Sequence, residues 1–428
     1  MIKGLAVAAR VRNWWPDLLI VIAPIAVGTF IDAANQTGFA AEFGTVVASK
    51  STIDEKSHVA GGALRAAAWR TQLSTQAPPI NVPVPAPPGT SIPAPPAASV
   101  PVDVGSTAAP SITPQHPDLL SSYMVRPPWA VAGVDYRVGV VPGTILKPIT
   151  SIRIPGVEID TTNRLVRVTG QNITIDGYDF SGWRIYVQGK NITIQNCYSN
   201  DVKGFGIEGR NDGVYDGIDY TSHNLTIRNC EIDGSANKFE SQWSFINIKG
   251  TGTTTIEHNW FHHAPTHIFE FTGSSTLIYR YNLEEEIGID PTGEGPTNHV
   301  NFIQMLGGES VNSQIVFNTM AQHRQPAGGQ MIQVTGSNAL VAANTLLTFR
   351  GPGSMPTAGS ISHLIDPGHA GDFFQGTIRD NYIDPRGVQY GVFYPSAKGS
   401  NVTVWGNVDM VTGSIIQANN TRRRRLPN

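Results

Sequence analysis

The chain has 428 residues, a formal net charge of −3 and only 15% charged residues, with 44 glycines and 30 prolines. That balance gives no electrostatic reason to bind nucleic acid, and a turn-rich, weakly charged composition is that of a β protein. Length alone does not count domains, because elongated β architectures routinely exceed the size of an ordinary core.

The first residues carry Lys3, Arg10 and Arg12 ahead of the uncharged run LLIVIAPIAVGTFI, which Pro24 interrupts. The run is short for a membrane span, which needs about 20 residues, and its basic flank is long for a signal peptide. Residues 1–34 therefore read as a signal or membrane anchor, a span, or a hydrophobic arm that packs on a partner. Residues 35–76 give no clear signal. Residues 77–115 are proline-rich and nearly uncharged, too poor in apolar bulk to fold, and read as an extended spacer. A cap segment is expected at 116–163.

From residue 164 to residue 416 the chain repeats itself. LVRVTGQNITIDGYDF, RIYVQGKNITIQNCYS and GIDYTSHNLTIRNCEI align with FINIKGTGTTTIEHNWF and HIFEFTGSSTLIYRYNL. FIQMLGGESVNSQIVFNTM, MIQVTGSNALVAANTLL, LIDPGHAGDFFQGTIRDNYI and YGVFYPSAKGSNVTVWGNVDM continue the series. Each unit is an alternating strand, a Gly or polar turn, a second strand and an Asn turn. The two-residue alternation excludes helical repeats, and a propeller would need more strands per unit. A solenoid whose coils stack about 4.8 Å apart satisfies the pattern.

The turn asparagines Asn196, Asn229, Asn259, Asn282, Asn318, Asn344, Asn381 and Asn407 read as one ladder, since Asn tolerates left-handed geometry and hydrogen-bonds backbone. The NIT, NLT and NVT sequons then read as turn and strand chemistry. Cys197 and Cys230 fall at equivalent positions, so they form either a disulfide or a pair of buried thiols. The basic run Arg422 to Arg425 in the tail, 417–428, is solvated or meets an acidic glycan, a membrane surface or a neighbouring subunit.

These repeats resemble the right-handed parallel β-helix of the pectin-lyase-like superfamily, which includes polysaccharide lyases, polygalacturonases and phage tailspikes. The resemblance implies an all-β solenoid of about nine to ten coils with a non-solenoid N-terminal arm. It also implies a glycan groove on one sheet face, and a secreted or cell-surface setting with a virion as the alternative. The chain would then be a polysaccharide lyase or glycoside hydrolase, or a non-catalytic adhesin or virion spike, trimeric in the spike case.

Aligned on the glycine that ends the first strand, positions two and four before it are apolar and fill the core: Val166, Val168, Ile185, Val187, Ile246, Ile248, Phe269, Phe271, Ile303, Met305, Ile332 and Val334. Position three before it is mainly polar: Arg167, Tyr186, Asn247, Glu270, Gln304 and Gln333, with Asp219 in the third coil if its turn is Thr221-Ser222. Gln188, Lys249 and Thr272 stand one before it, so these residues form an outward stripe. Carboxylates two coils apart lie about 9.6 Å from each other, near the separation of inverting glycosidases, which marks Asp219 and Glu270 as a candidate pair.

A lyase would instead need a base and a cation, for which Lys249, Arg280, His267 and His299 are candidates. GPTNHVNFIQM resembles an H-x-D-x-I/L-Q phrase of bacterial β-helix proteins, with Asn301 in place of the Asp, which favours binding at that coil. The expected catalytic set is thus Asp219, Glu270, His267, His299 and Lys249. Tyr186, Asn247, Asn301, Gln304, Gln333 and Arg280 would bind substrate, with Phe302, Trp183 and Trp243 as stacking aromatics.

No cofactor and no metal site are expected. Asp212, Asp216 and Asp219 in RNDGVYDGIDY offer loose oxygen ligands for calcium, against a plain solvated loop. His258, His262, His263 and His267 have no cysteine company, and Pro265 denies the helix that would align His263 with His267.

Overall fold

The computed structural model describes residues 113–417 apart from 202–203, 216–217, 237–241, 289–299, 308–309, 323–328, 349–360, 369–372, 389 and 395–400. The expectations for residues 1–112, for Asp216 and His299, and for the basic tail lie outside the described residues. Among the described residues no helix is long and apolar enough to cross a membrane.

Alternation of apolar and polar residues produces the stacked solenoid that the repeats predicted, with a third strand after each Asn turn, so that three long sheets share one interior. The first sheet has ten strands, from Val157–Asp160 and Leu165–Val168 through Gly204–Gly209, Gln242–Ile248 and His267–Phe271 to Gly391–Phe393. The second has nine, from Thr174–Asp176 to Asn401–Trp405, and the third ten, from Lys147–Pro148 to Val408–Asp409. Within all three the strands run parallel, except where Val157–Asp160 pairs antiparallel with Leu165–Val168 at the N-terminal end of the first. The described residues form a parallel β-helix. The twelve apolar residues assigned to the core are all 1% exposed or less.

The corner between the second and third sheets corrects the asparagine alignment. Asn196, Asn229, His258, Tyr281, Phe317, Ala343, Asp380 and Gly406 form one column with φ between 52° and 66°. Adopting that left-handed geometry costs a non-glycine residue roughly 1–2 kcal/mol. The next residue in each coil forms a second column: Cys197, Cys230, Asn259, Asn282, Asn318, Asn344, Asn381 and Asn407.

The true ladder runs from Asn259 to Asn407, and Asn196 and Asn229 belong to the turn column beside it. In the ladder each Nδ2 donates to the next Oδ1 at 2.8–3.0 Å. The backbone N–H of Cys230 donates to Asn259 Oδ1 at its head. Both cysteines are buried free thiols. The sequon asparagines Asn172, Asn191 and Asn224 turn the opposite corner with positive φ and hydrogen-bond to one another, while Asn401 begins a strand.

Residues 113–148 form a strap along the outside of the third sheet. Leu120, Val131 and Val134 pack on Ala321, Leu347 and Met410, and Ala132 and Val138 pack on Leu283. The strap then joins the third sheet through Lys147 and Pro148, which pair with Tyr178 and Asp179.

Candidate functional site

The register of the first sheet sets out the polar column directly: Arg167, Tyr186, Glu208, Asn247, Glu270, Gln304, Gln333 and Asp366 stand side by side on successive strands. The third coil contributes Glu208. Asp219 lies instead on an antiparallel hairpin, Asn211–Tyr215 with Ile218–Thr221, outside the three sheets. Its carboxylate is held below the usual range by Thr221 and then by Lys190, whose Nζ is 3.4 Å away. Arg280 is also displaced, because it ends a strand of the second sheet and forms an ion pair with Glu257 at 2.8 Å.

Three charged groups meet at Glu208. Its Oε1 pairs with Lys249 Nζ at 2.9 Å and its Oε2 with Arg210 Nη1 at 3.1 Å, while the side chain is only 2% exposed. A buried carboxylate must be paired to be tolerated, and two cations achieve that here. Arg210 also lies over the Tyr186 ring, 4.7 Å from its centroid. It pairs with Asp212, which accepts a further hydrogen bond from Gln188 at 2.7 Å. Asp212 is therefore an anchor for Arg210.

Glu270 lies two strands beyond Glu208, with Asn247 between them donating to Glu270 Oε2 at 2.7 Å. Burial raises the Glu270 carboxyl to about 6, with the Glu208 charge adding to the rise and Asn247 and Lys249 opposing it. His267 Nε2 is 3.8 Å from Glu270 Oε1, and its Nδ1 accepts the backbone N–H of Asn301 at 2.9 Å. The tautomer is thus the one with hydrogen on Nε2, facing Glu270. Asn301 is fully buried and bonds to Gln333 Oε1 at 3.1 Å and to the backbone N–H of Gln330 at 2.7 Å.

The structure therefore brings together Tyr186, Asn247, Lys249, His267, Glu270, Asn301, Gln304 and Gln333 from the predicted set and leaves out Asp219 and Arg280. It adds Glu208, Arg210 and Asp366. The signal for Glu208 was present in GFGIEG, where Phe205, Ile207 and Gly209 alternate with it ahead of the hairpin turn. Chemically, the column offers one carboxyl poised to give up a proton near neutrality and one salt-bridged carboxylate, separated by two strand spacings, about 9.6 Å.

No protein-family model and no curated protein matches the chain. Among solved structures it is similar to a mannuronic acid specific polysaccharide family 6 lyase enzyme from human gut microbiota, at 14% sequence identity and a TM-score of 0.34. The match covers 57% of this chain and 65% of that one. A likeness of that size assigns neither activity nor substrate.

Proposed function

We propose that the chain is a surface polysaccharide-cleaving β-helix, in which a glycan lies along the first sheet and Glu270 protonates the leaving glycosidic oxygen. The observation that carries this reading is the Glu270 carboxyl, raised to about 6 by burial and aligned with Glu208 two coils away. Their spacing of about 9.6 Å is close to the 6.5–9.5 Å of inverting glycosidases, which leave room for a water between carboxylate and sugar. Lys249 is the more exposed of the two cations on Glu208. Its departure when substrate binds would free Oε1 to align that water. Tyr186 and Gln304 extend the surface along the same column.

The test is incubation with a panel of acidic and neutral exopolysaccharides, following new reducing ends and the anomer first released. Release of the inverted anomer, lost in Glu270→Gln, supports the proposal. Unsaturated uronate ends would instead assign a lyase, with His267 or Lys249 as base. A second reading has its own observation: Glu208, Asn247, Gln333 and Asp366 are 2% exposed or less, so much of the column is closed to solvent. Glycan binding without cleavage would make the solenoid a non-catalytic adhesin or virion spike, held by its N-terminal arm and trimeric in the spike case.

A further inference from the structure

The histidine pair His262-His263 sits on the third sheet, away from the polar column of the first. Asp233 and His262 are cross-strand partners on adjacent coils. Consecutive strand residues normally point to opposite faces. Here His263 has φ 56°, a bend repeated by Glu286 one coil on, and its imidazole turns back toward His262. Gly234 permits the close approach, since a Cβ there would lie 2.2 Å from the His263 carbonyl oxygen.

The result is a triangle of ligand atoms. His262 Nδ1 lies 2.8 Å from His263 Nδ1 and 3.4 Å from Asp233 Oδ1, and His263 Nδ1 lies 3.1 Å from the same oxygen. A triangle with these edges has a circumradius of about 1.8 Å, so an ion about 1 Å above its plane would lie about 2.1 Å from all three atoms, the distance of Zn–N and Zn–O bonds. As a purely hydrogen-bonded cluster the arrangement is poor. Two imidazole nitrogens contend for one Asp233 oxygen that already accepts the backbone N–H of Ser235 at 2.9 Å.

The outer groups fit as well. Ligation through Nδ1 places the proton of His262 on Nε2, and that buried atom has Glu231 Oε1 3.5 Å away and no hydrogen-bond partner within normal range. A carboxylate behind a ligating imidazole is the usual orienting arrangement at metal sites. Trp260 stacks on the His262 ring at 4.1 Å, fixing its plane. Ser235 Oγ donates to the remaining Asp233 oxygen at 2.8 Å. His263, with a side chain 30% exposed, leaves the fourth position open to solvent.

We propose that Asp233, His262 and His263 bind a divalent transition-metal ion of the zinc type, with Glu231 orienting His262. The ion clips two neighbouring coils together and retains an open coordination position. This site stands independently of the glycan reading.

The test uses the full chain stripped with chelator and titrated with Co2+ and with Zn2+, followed by visible d–d absorption and by calorimetry. One ion per chain is expected, with the d–d bands of a low-coordinate site. Asp233→Asn and His263→Ala should each weaken binding at least about 100-fold, and Glu231→Gln about 10–100-fold, as loss of an orienting partner does. Circular dichroism checks that each variant folds, and Glu231→Gln, outside the ligand triangle, decides the matter if a ligand variant does not. Absence of saturable binding, or affinity unchanged in these variants, would overturn the proposal.

Discussion

Glu284 lies inside the solenoid, fully buried, and faces only the hydroxyl of the equally buried Tyr279, with no hydrogen bond of ordinary geometry to either carboxyl oxygen among the described residues. Burial raises this carboxyl to about 8, with the Tyr279 hydroxyl pulling the other way. The folded protein therefore keeps the proton that the unfolded chain releases above about pH 4.5. The sign follows: a raised carboxyl destabilises the fold as pH rises from the unfolded pKa to the folded one.

At about 1.4 kcal/mol per pH unit, the cost is near zero below about pH 4.5, about 3 kcal/mol at pH 7 and about 5 kcal/mol above pH 8. Glu284→Gln has no proton to lose, so whatever its constant packing cost, the difference from wild type should tilt in the variant's favour by about 3 kcal/mol between pH 4.5 and 7. Chemical denaturation across that range measures it. Parallel pH profiles for the two proteins would refute the assignment of Glu284 as a neutral core acid.

Glu270→Gln should lower kcat by about 10²–10⁴-fold on any polysaccharide the chain cleaves. In the wild type kcat/KM should fall as pH rises past about 6, where Glu270 loses its proton. Asp219→Asn and Arg280→Ala should leave that rate unchanged in the same assay, since neither side chain reaches the first sheet's column. Asn282→Ala removes a side chain that accepts from Asn259 and donates to both Asn318 Oδ1 and the Ile256 carbonyl oxygen. Thermal denaturation should register a loss of about 2–4 kcal/mol, the cost of stranding those buried partners.

The fold was readable because burial of one face imposes a strict period of two, and Phe269-Glu270-Phe271 or Ile332-Gln333-Val334 leave no choice of which side faces in. The third coil defeated the same logic. Glycine marks the end of the first strand in most coils, but Gly209 follows Glu208 directly and the Asn211–Thr221 hairpin intervenes before the second strand. Alignment on a later turn put Asp219 in the column.

The asparagines misled for a different reason. One residue type meets two demands at that corner, left-handed backbone at Asn229 and buried amide stacking at Asn259, and sequence shows only the letter. Glu284 and the histidine pair were hidden by their neighbours' alternation. In LEEEI the first of the three carboxylates, Glu284, is the one facing inward, and only the left-handed bend at His263 places adjacent imidazoles together.

The strap over the third sheet changes how the solenoid can come apart. An open stack of coils has stability that sums over nearest neighbours, so either end can fray without consulting the other. Here one segment bonds to Met410 through the Val125 N–H at 3.1 Å and to Asp384 through the Tyr123 hydroxyl at 2.7 Å. The same segment donates the Gly139 N–H to His258 in the middle and pairs with Tyr178 near the start. Peeling off the last coil therefore uncovers Leu120, Val131 and Val134 and loosens a tether that also clamps the first. A linear array of couplings becomes a closed loop, and partial unfolding at one terminus is felt at the other.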